Sequence, residues 1–294
     1  MKQSYVHISA PAVGAATAVA SRVASAPPHR WVINSMGTSF SLAILGTVPT
    51  ETETLVAAIK RDFAQTESRL SVLRPDSEIS QWQHGRLRDG QLSVETREVI
   101  AACDLAEEIT GGLFSAQHTG QYDPTCYVKG WALARAARRL DDAEVGSYYL
   151  NCGGSIIACG DGPDGAPWRL GVAHPYRQNE LATVITAPAG DRHPIAVATS
   201  GTRPHDSHIY SAFGDWHPTR STVTVVGQHI ALVDMAASAA LAAGYQGFEA
   251  SRELIRHLGL DAFGFDENRH LWWTDGMPRY AALPGAQWAS ETPA

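Results

Sequence analysis

Residues 231–244 read ALVDMAASAALAAG, an alanine-rich run that closes on a glycine. Alanine is the strongest helix former and glycine a frequent helix stop, so the segment is expected to be a helix. Its side chains are small, and a fold built on this chain has to pack closely around it. Asp234 and Ser238 stand four residues apart, which turns both side-chain oxygens to one face. Spacing alone favours the plainer assignment, a first-turn charge followed by a small packing residue.

Other segments carry their own periodicities. Residues 30–46 hold β-branched and aromatic residues divided by Met36, Gly37 and Thr38, which suggests two strand pieces. The joint between them is either a β-bulge or a place where backbone approaches a ligand. Leu55, Ile59, Phe63 and Leu70 line one face of a helix over 51–70, with acidic residues in its first turn. Pro75, Asp76, Ser77 and Glu78 read as a turn. A second helix is expected over 93–109, with Val99, Cys103 and Ala106 inward and Gly111 and Gly112 as its stop. Beyond residue 147 the pattern becomes β-rich: Gly153 and Gly154 separate two apolar runs, as in a tight hairpin or a strand joint. Short strands are expected at 168–173, 182–186, 195–199 and 221–226, a spacing that suggests an antiparallel sheet. A polar loop with His205 and His208 follows Thr199, Ser200 and Gly201. Residues 248–258 add a helix, and 261–280 a hairpin-like pair around Trp272 and Trp273. The expected class is α+β, a mixed, largely antiparallel sheet with helices packed on it.

One further helix starts in YDPTCYVKGWALARAARR, residues 122–139, with Leu133, Ala137 and Leu140 at helical spacing. Asp123, Lys129 and Gly130 at its mouth combine a carboxylate, an ammonium and free backbone N–H groups, conditions that favour an anionic, phosphate-bearing ligand. The same residues also suit the start of a surface helix with a solvated lysine.

At 294 residues, with 44% apolar and 18% charged residues, the chain can bury a sizeable core as one large domain or two closely packed ones. A formal net charge of -7, with no basic run, argues against a protein that tracks nucleic-acid backbones or lies on anionic lipid. No apolar run reaches the roughly 18 residues of a membrane-spanning helix. Cys103, Cys126, Cys152 and Cys159 show neither a CxxC pair nor zinc-like spacing and read as reduced thiols. Residues 1–29 read as a flexible leader, with the folded domain over 30–294. The leader's small apolar run is broken by Pro11, Gly14 and Arg22, so a cytoplasmic location is expected ahead of secretion.

Taken in chain order, Met36-Gly37-Thr38, Pro75-Asp76-Ser77-Glu78-Ile79-Ser80, Asp123 with Lys129-Gly130, Gly153-Gly154, Ala198-Thr199-Ser200-Gly201, His208-Ile209 and Asp234 with Ser238 make a pattern. It resembles the ApbE family of FAD:protein FMN transferases. Each motif is short, and the likeness lies in their number, order and spacing between about residues 31 and 244. The resemblance implies that FAD binds with Mg²⁺ at its pyrophosphate, in a cleft between an N-terminal portion and the β-rich C-terminal portion. A Thr or Ser hydroxyl of an acceptor flavoprotein would attack the FMN-side phosphorus, and AMP would leave. A pyrophosphate's charge must be neutralised before a hydroxyl can approach, and a hard cation held by oxygen ligands does this.

Carried over residue by residue, the metal ligands fall on the Asp234 and Ser238 side chains and the backbone carbonyl of Cys126, whose thiol takes no part. Met36, Gly37, Thr38, Leu73, Phe114 and Asp123 would line the FAD site from the N-terminal side. Lys129, Gly130, Thr199, Ser200, Gly201, His208 and Ile209 would complete it. His208 is the implied base for the acceptor hydroxyl, a task that suits an imidazole at neutral pH, and Asp234 is the other implied catalytic group. The chain departs from the family pattern in four places. Ser115 follows Phe114 where an Asp is usual, and Ser211 replaces the Asp of the family's His-Ile-x-Asp-Pro. The stretch between Phe114 and Asp123 is shorter than usual, and Leu73 stands where an aromatic residue often stacks on flavin. Two rival expectations are a Mg²⁺-dependent hydrolase that splits FAD into FMN and AMP, and a non-catalytic flavin-binding protein, to which Ser115 and Ser211 would point.

Overall fold

The computed structural model describes residues 28–46, 49–118, 120–177, 179–187, 193–201, 221–266 and 268–283. The chain begins with strands β1 (His29–Ser35) and β2 (Thr38–Leu45), then the long helix α1 (Pro49–Leu70), the short α2 (Glu78–Gln83) and α3 (Val94–Ile109). A small ribbon of β3 (Gln117–His118) and β4 (Gln121–Tyr122) leads into α4 (Thr125–Asp142), followed by β5 (Ser147–Cys152) and β6 (Ser155–Cys159). Strands β7 (Arg169–Ala173) and β8 (Leu181–Thr186) form a separate hairpin. The chain then supplies β9 (Ile195–Gly201), β10 (Thr222–Gly227), α5 (Ile230–Ala243), α6 (Phe248–His257), β11 (Asp261–Phe265) and β12 (Leu271–Trp273).

Eight strands join in one sheet, in the order β1-β2-β5-β6-β9-β10-β11-β12, and every neighbouring pair in it is antiparallel. The α+β class expected from sequence is what forms. Strand alternation sorts the side chains to two faces. Leu42, Ile44, Tyr148, Leu150, Val223 and Val225 face the helices and join Phe63, Leu133 and Leu140 in the main core. Ala43, Tyr149, Ile156, Ile195, Val197 and Phe263 face the other way and pack with Trp168, Leu170 and Ile185 of the β7–β8 side.

Helix α5 lies on the helical face against β9 and β10, between α4 and α6. Its small side chains require small neighbours, and the sequence provides them. On this face β9 carries Ala196 and Ala198, both fully buried. From α4 comes Gly130, where an added Cβ would stand 2.8 Å from the Asp234 Cβ and 3.1 Å from the Ala231 Cα.

Several local expectations change. The joint at Met36 and Gly37 is a two-residue hairpin turn: Ser35 pairs with Thr38, and φ is +52° and +67°, the positive pair of a type I′ turn rather than a bulge. Gly153 and Gly154, at φ +61° and +105°, make a second such turn between Cys152 and Ser155. The segment after Pro75 turns and then continues as α2, whose N-cap Ser77 accepts from the Ser80 N–H at 3.1 Å. Helix α4 starts at Thr125, within the expected stretch, because Tyr122 is paired in β4 and Pro124, without an N–H, suits a helix start. All four cysteines are free thiols. Among the described residues no helix is long and apolar enough to cross a membrane.

Candidate active site

Strand register gathers the motifs at one end of the neighbouring strands β2, β5, β6 and β9. Phe40 pairs with Cys152, and Ile156 pairs with Val197. Continuing both registers past the strand ends sets Thr38 and Thr199 level with the Gly153-Gly154 turn, one on each side. The start of α4 and the α5 face bearing Asp234 and Ser238 approach this end from the helical layer.

Asp234 is the centre of the cluster. It is 9% exposed, and its Oδ1 accepts a 2.5 Å hydrogen bond from the Ser155 hydroxyl. Its Oδ2 is buried and has no hydrogen-bond partner among the described residues. Burial pushes the carboxyl pKa up, while the Ser155 hydrogen bond, the Lys129 ammonium and the Gly130 amide pull it down. Gly130 is required here, since a Cβ at that position would also stand 3.0 Å from the Asp234 Oδ2. Lys129 acts on two neighbouring thiols as well. Burial drives the Cys126 pKa up and that of Cys152 to about 12, and in both cases the lysine charge opposes the shift. Thr38 reaches the cluster through a hydrogen bond to Cys152. At the end of β9 the Ser200 and Ser238 hydroxyls lie 3.2 Å apart, and those of Thr199 and Thr224 2.9 Å apart.

Residues expected in the site thus divide into groups. Thr38, Cys126, Lys129, Gly130, Ser200, Asp234 and Ser238 come together. Asp123 stands at the α4 mouth, where its Oδ1 accepts from the Thr125 N–H at 2.9 Å and from the Thr125 hydroxyl; its charge also raises the Cys126 pKa. Met36 donates its N–H to Glu67 Oε2 at 3.0 Å, and the Ser35 hydroxyl donates to the same oxygen at 2.8 Å. These two bonds, aided by the Arg74 charge, hold the Glu67 carboxyl below its usual range. Leu73, next to Arg74, is 91% exposed, an unusual setting for a large apolar side chain. Phe114 is a core residue, edge-on to Tyr127 with ring centroids 6.5 Å apart. Ser115 donates to Glu107 Oε2 at 3.0 Å and accepts from the Gln117 N–H at 3.0 Å. His208, Ile209 and Ser211 lie outside the described residues.

Sequence reasoning missed Ser155, Glu67 and Gln83. The Gln83 side chain clamps the Tyr122 backbone, donating to its carbonyl at 2.6 Å and accepting from its N–H at 3.2 Å, and so fastens α2 to the segment before α4. Position next to the glycine pair was the one signal for Ser155.

The Asp234 carboxylate, whose buried Oδ2 lacks a hydrogen-bond partner among the described residues, and the Ser238 hydroxyl four residues on are oxygens, the donor type that a hard divalent cation takes. Among the described residues no group of three or more His, Cys, Asp or Glu side chains is placed to hold a metal ion.

Solved structures share this fold. The flavin transferase ApbE from Vibrio cholerae superposes with a TM-score of 0.69 at 17% identity, over 86% of this chain and 100% of that one. The apo form of the Pseudomonas stutzeri flavinyl transferase ApbE gives 0.69 at 19% identity, over 88% and 99%. The ApbE protein from Thermotoga maritima gives 0.72 at 17%, over 86% and 98%. Identities this low establish the fold alone. No curated protein matches the sequence. The model of the ApbE family matches residues 36–121 and 116–263, well over half of the chain. By sequence and by fold, the chain belongs to the ApbE family.

Proposed function

We propose that the protein transfers FMN from FAD to a Thr or Ser hydroxyl of an acceptor flavoprotein, releasing AMP, with Mg²⁺ as its cation. The observation that carries this reading is the buried Asp234 carboxylate, one oxygen bonded to Ser155 and the other without a hydrogen-bond partner among the described residues, set near Lys129 with the Ser200 and Ser238 hydroxyls on the same side of the sheet. Asp234, Ser238 and the Cys126 carbonyl hold the cation. When bound it neutralises the pyrophosphate and polarises the phosphoryl group. Lys129 adds positive charge for the phosphates; the Thr125, Tyr127 and Val128 amides of α4 are not free for them, because the Thr125 N–H donates to Asp123 and the other two donate to the Pro124 carbonyl. The hydroxyls of Thr38 and Ser200 supply hydrogen bonds to phosphate oxygens, while the Thr199 hydroxyl is bonded to Thr224 on the opposite face of the sheet, and exposed Leu73 offers an apolar face to the flavin. The acceptor oxygen bonds to the FMN-side phosphorus as the bond from that phosphorus to the AMP oxygen breaks. His208 takes the hydroxyl proton.

The test combines the protein with FAD, Mg²⁺ and an FMN-binding acceptor, and follows acceptor mass together with AMP. Acceptor heavier by one FMN group, with AMP in equal amount and released faster than without acceptor, is the expected result. Asp234→Ala should abolish both products while the protein keeps its fold, and Ser238→Ala should act in the same direction more weakly. AMP at equal rates with and without acceptor, with all FMN free, would establish hydrolysis instead. FAD bound without any AMP would establish a non-catalytic binder.

A further inference from the structure

Asp234 is fixed from the sheet rather than from its own helix. Ser155 is the first residue of β6, directly after the Gly153-Gly154 turn, and is itself buried, with 7% of its surface exposed. Its 2.5 Å bond to Oδ1 is at the short end for a hydroxyl on a carboxylate. The Asp234 Cβ is pressed toward Gly130, with no room there for even a methyl group. The Ser155 bond tethers one oxygen, and the Gly130 amide and the confined Cβ act on the same group, so rotation of the carboxylate is restricted. Ser200 stands in a similar relation to Ser238, but in that pair either hydroxyl can donate, so no orientation is imposed.

We propose that Ser155 is a positioning residue for the cation site: by holding Oδ1 it commits the Asp234 carboxylate to offering Oδ2 alone. The proposal rests on the cation reading given above. Groups that orient a metal ligand from behind typically contribute about 10–100-fold in metal affinity. A merely structural serine would instead affect cation and FAD binding alike.

The experiment is calorimetric titration of the full chain with Mg²⁺, and with Mn²⁺ as a paramagnetic probe, alongside FAD titration in the presence of a chelator. It compares the wild type with Ser155→Ala, Ser155→Cys and Asp234→Ala. Ser155→Ala should weaken cation affinity about 10–100-fold and leave chelator-insensitive FAD affinity unchanged. Ser155→Cys keeps the side-chain shape but donates poorly, and should fall between the two. It also decides the matter if the alanine variant does not fold. Cation affinity within about twofold of wild type in the cysteine and alanine variants overturns the proposal, as does a parallel loss of FAD affinity. A different pattern marks failure of the cation reading itself: no cation uptake by the wild type, or uptake that Asp234→Ala leaves unchanged. In that case the role of Ser155 falls with it.

Discussion

Met36 occupies a left-handed backbone conformation, φ +52°, that asparagine or glycine would adopt with less strain, and the first position of a type I′ turn is where those residues are usual. Glu67 holds this turn in place by accepting both the Met36 N–H and the Ser35 hydroxyl on one carboxylate oxygen. Met36→Asn is therefore expected to stabilise the protein by about 1 kcal/mol and Glu67→Ala to destabilise it by a similar amount, as measured by urea unfolding. If Glu67→Ala leaves the unfolding midpoint unmoved, the cap contributes nothing. The sequence marks Met36 and Gly37 as a break between strands, because glycine interrupts a β-branched run. Glu67 is hidden in another way: it falls on the Leu55, Ile59, Phe63 and Leu70 stripe, four residues after Phe63 and three before Leu70, but nothing local shows that its carboxylate caps a turn 31 residues earlier. Ser155 is hidden for a related reason: its partner Asp234 is 79 positions away, and no local period encodes such a contact.

At Gly130 α4 and α5 approach too closely for any side chain. Gly130→Ala should cost about 1–3 kcal/mol, the usual range for overpacking, because the atoms its methyl would meet are the Asp234 Cβ and the Ala231 Cα rather than a flexible side-chain end. The same displacement should weaken cation affinity, so denaturation and Mg²⁺ titration of one variant must change together. Loss of stability with unaltered titration would mean that α5 moves as a unit and carries its ligands with it. Elements of this kind were legible: the alanine run and its closing glycine place α5 to within a residue at either end, and the four-residue spacing puts Asp234 and Ser238 on one side of it. Short elements were not. Helix α2 spans six residues and the β3–β4 strands two each, too few for a period to emerge. The sheet order was also out of reach, because β6 pairs with β9 across the intervening β7–β8 hairpin and no turn signal announces a pairing so distant.

Over the whole molecule, acid stability is expected to depend on His174. Its ring is buried, and Nδ1 accepts from the backbone N–H groups of Tyr176 at 3.1 Å and Arg177 at 3.2 Å, a role that a protonated ring cannot fill. Burial, with the Arg177 charge, holds its pKa below the ordinary imidazole value, and Glu180 opposes the shift. Below pH ~6.5 the unfolded chain takes up this proton while the folded one resists, so the unfolded state binds more protons and stability falls as the pH drops through that window. Melting temperature followed from neutral to mildly acidic pH should fall more steeply for the wild type than for His174→Asn; parallel curves would remove His174 from the account. The site itself spans the chain in another sense, because its parts are synthesised at widely separated times. The turn bearing Thr38, the α4 start and the Ser155 strand are complete long before Asp234 leaves the ribosome. A growing chain that ends short of α5 possesses the strand ends and the lysine but no buried carboxylate, and its β9 alanines lie bare. Ligand bound through Asp234 therefore stabilises the finished molecule alone, by mass action, and gives nothing to its precursors.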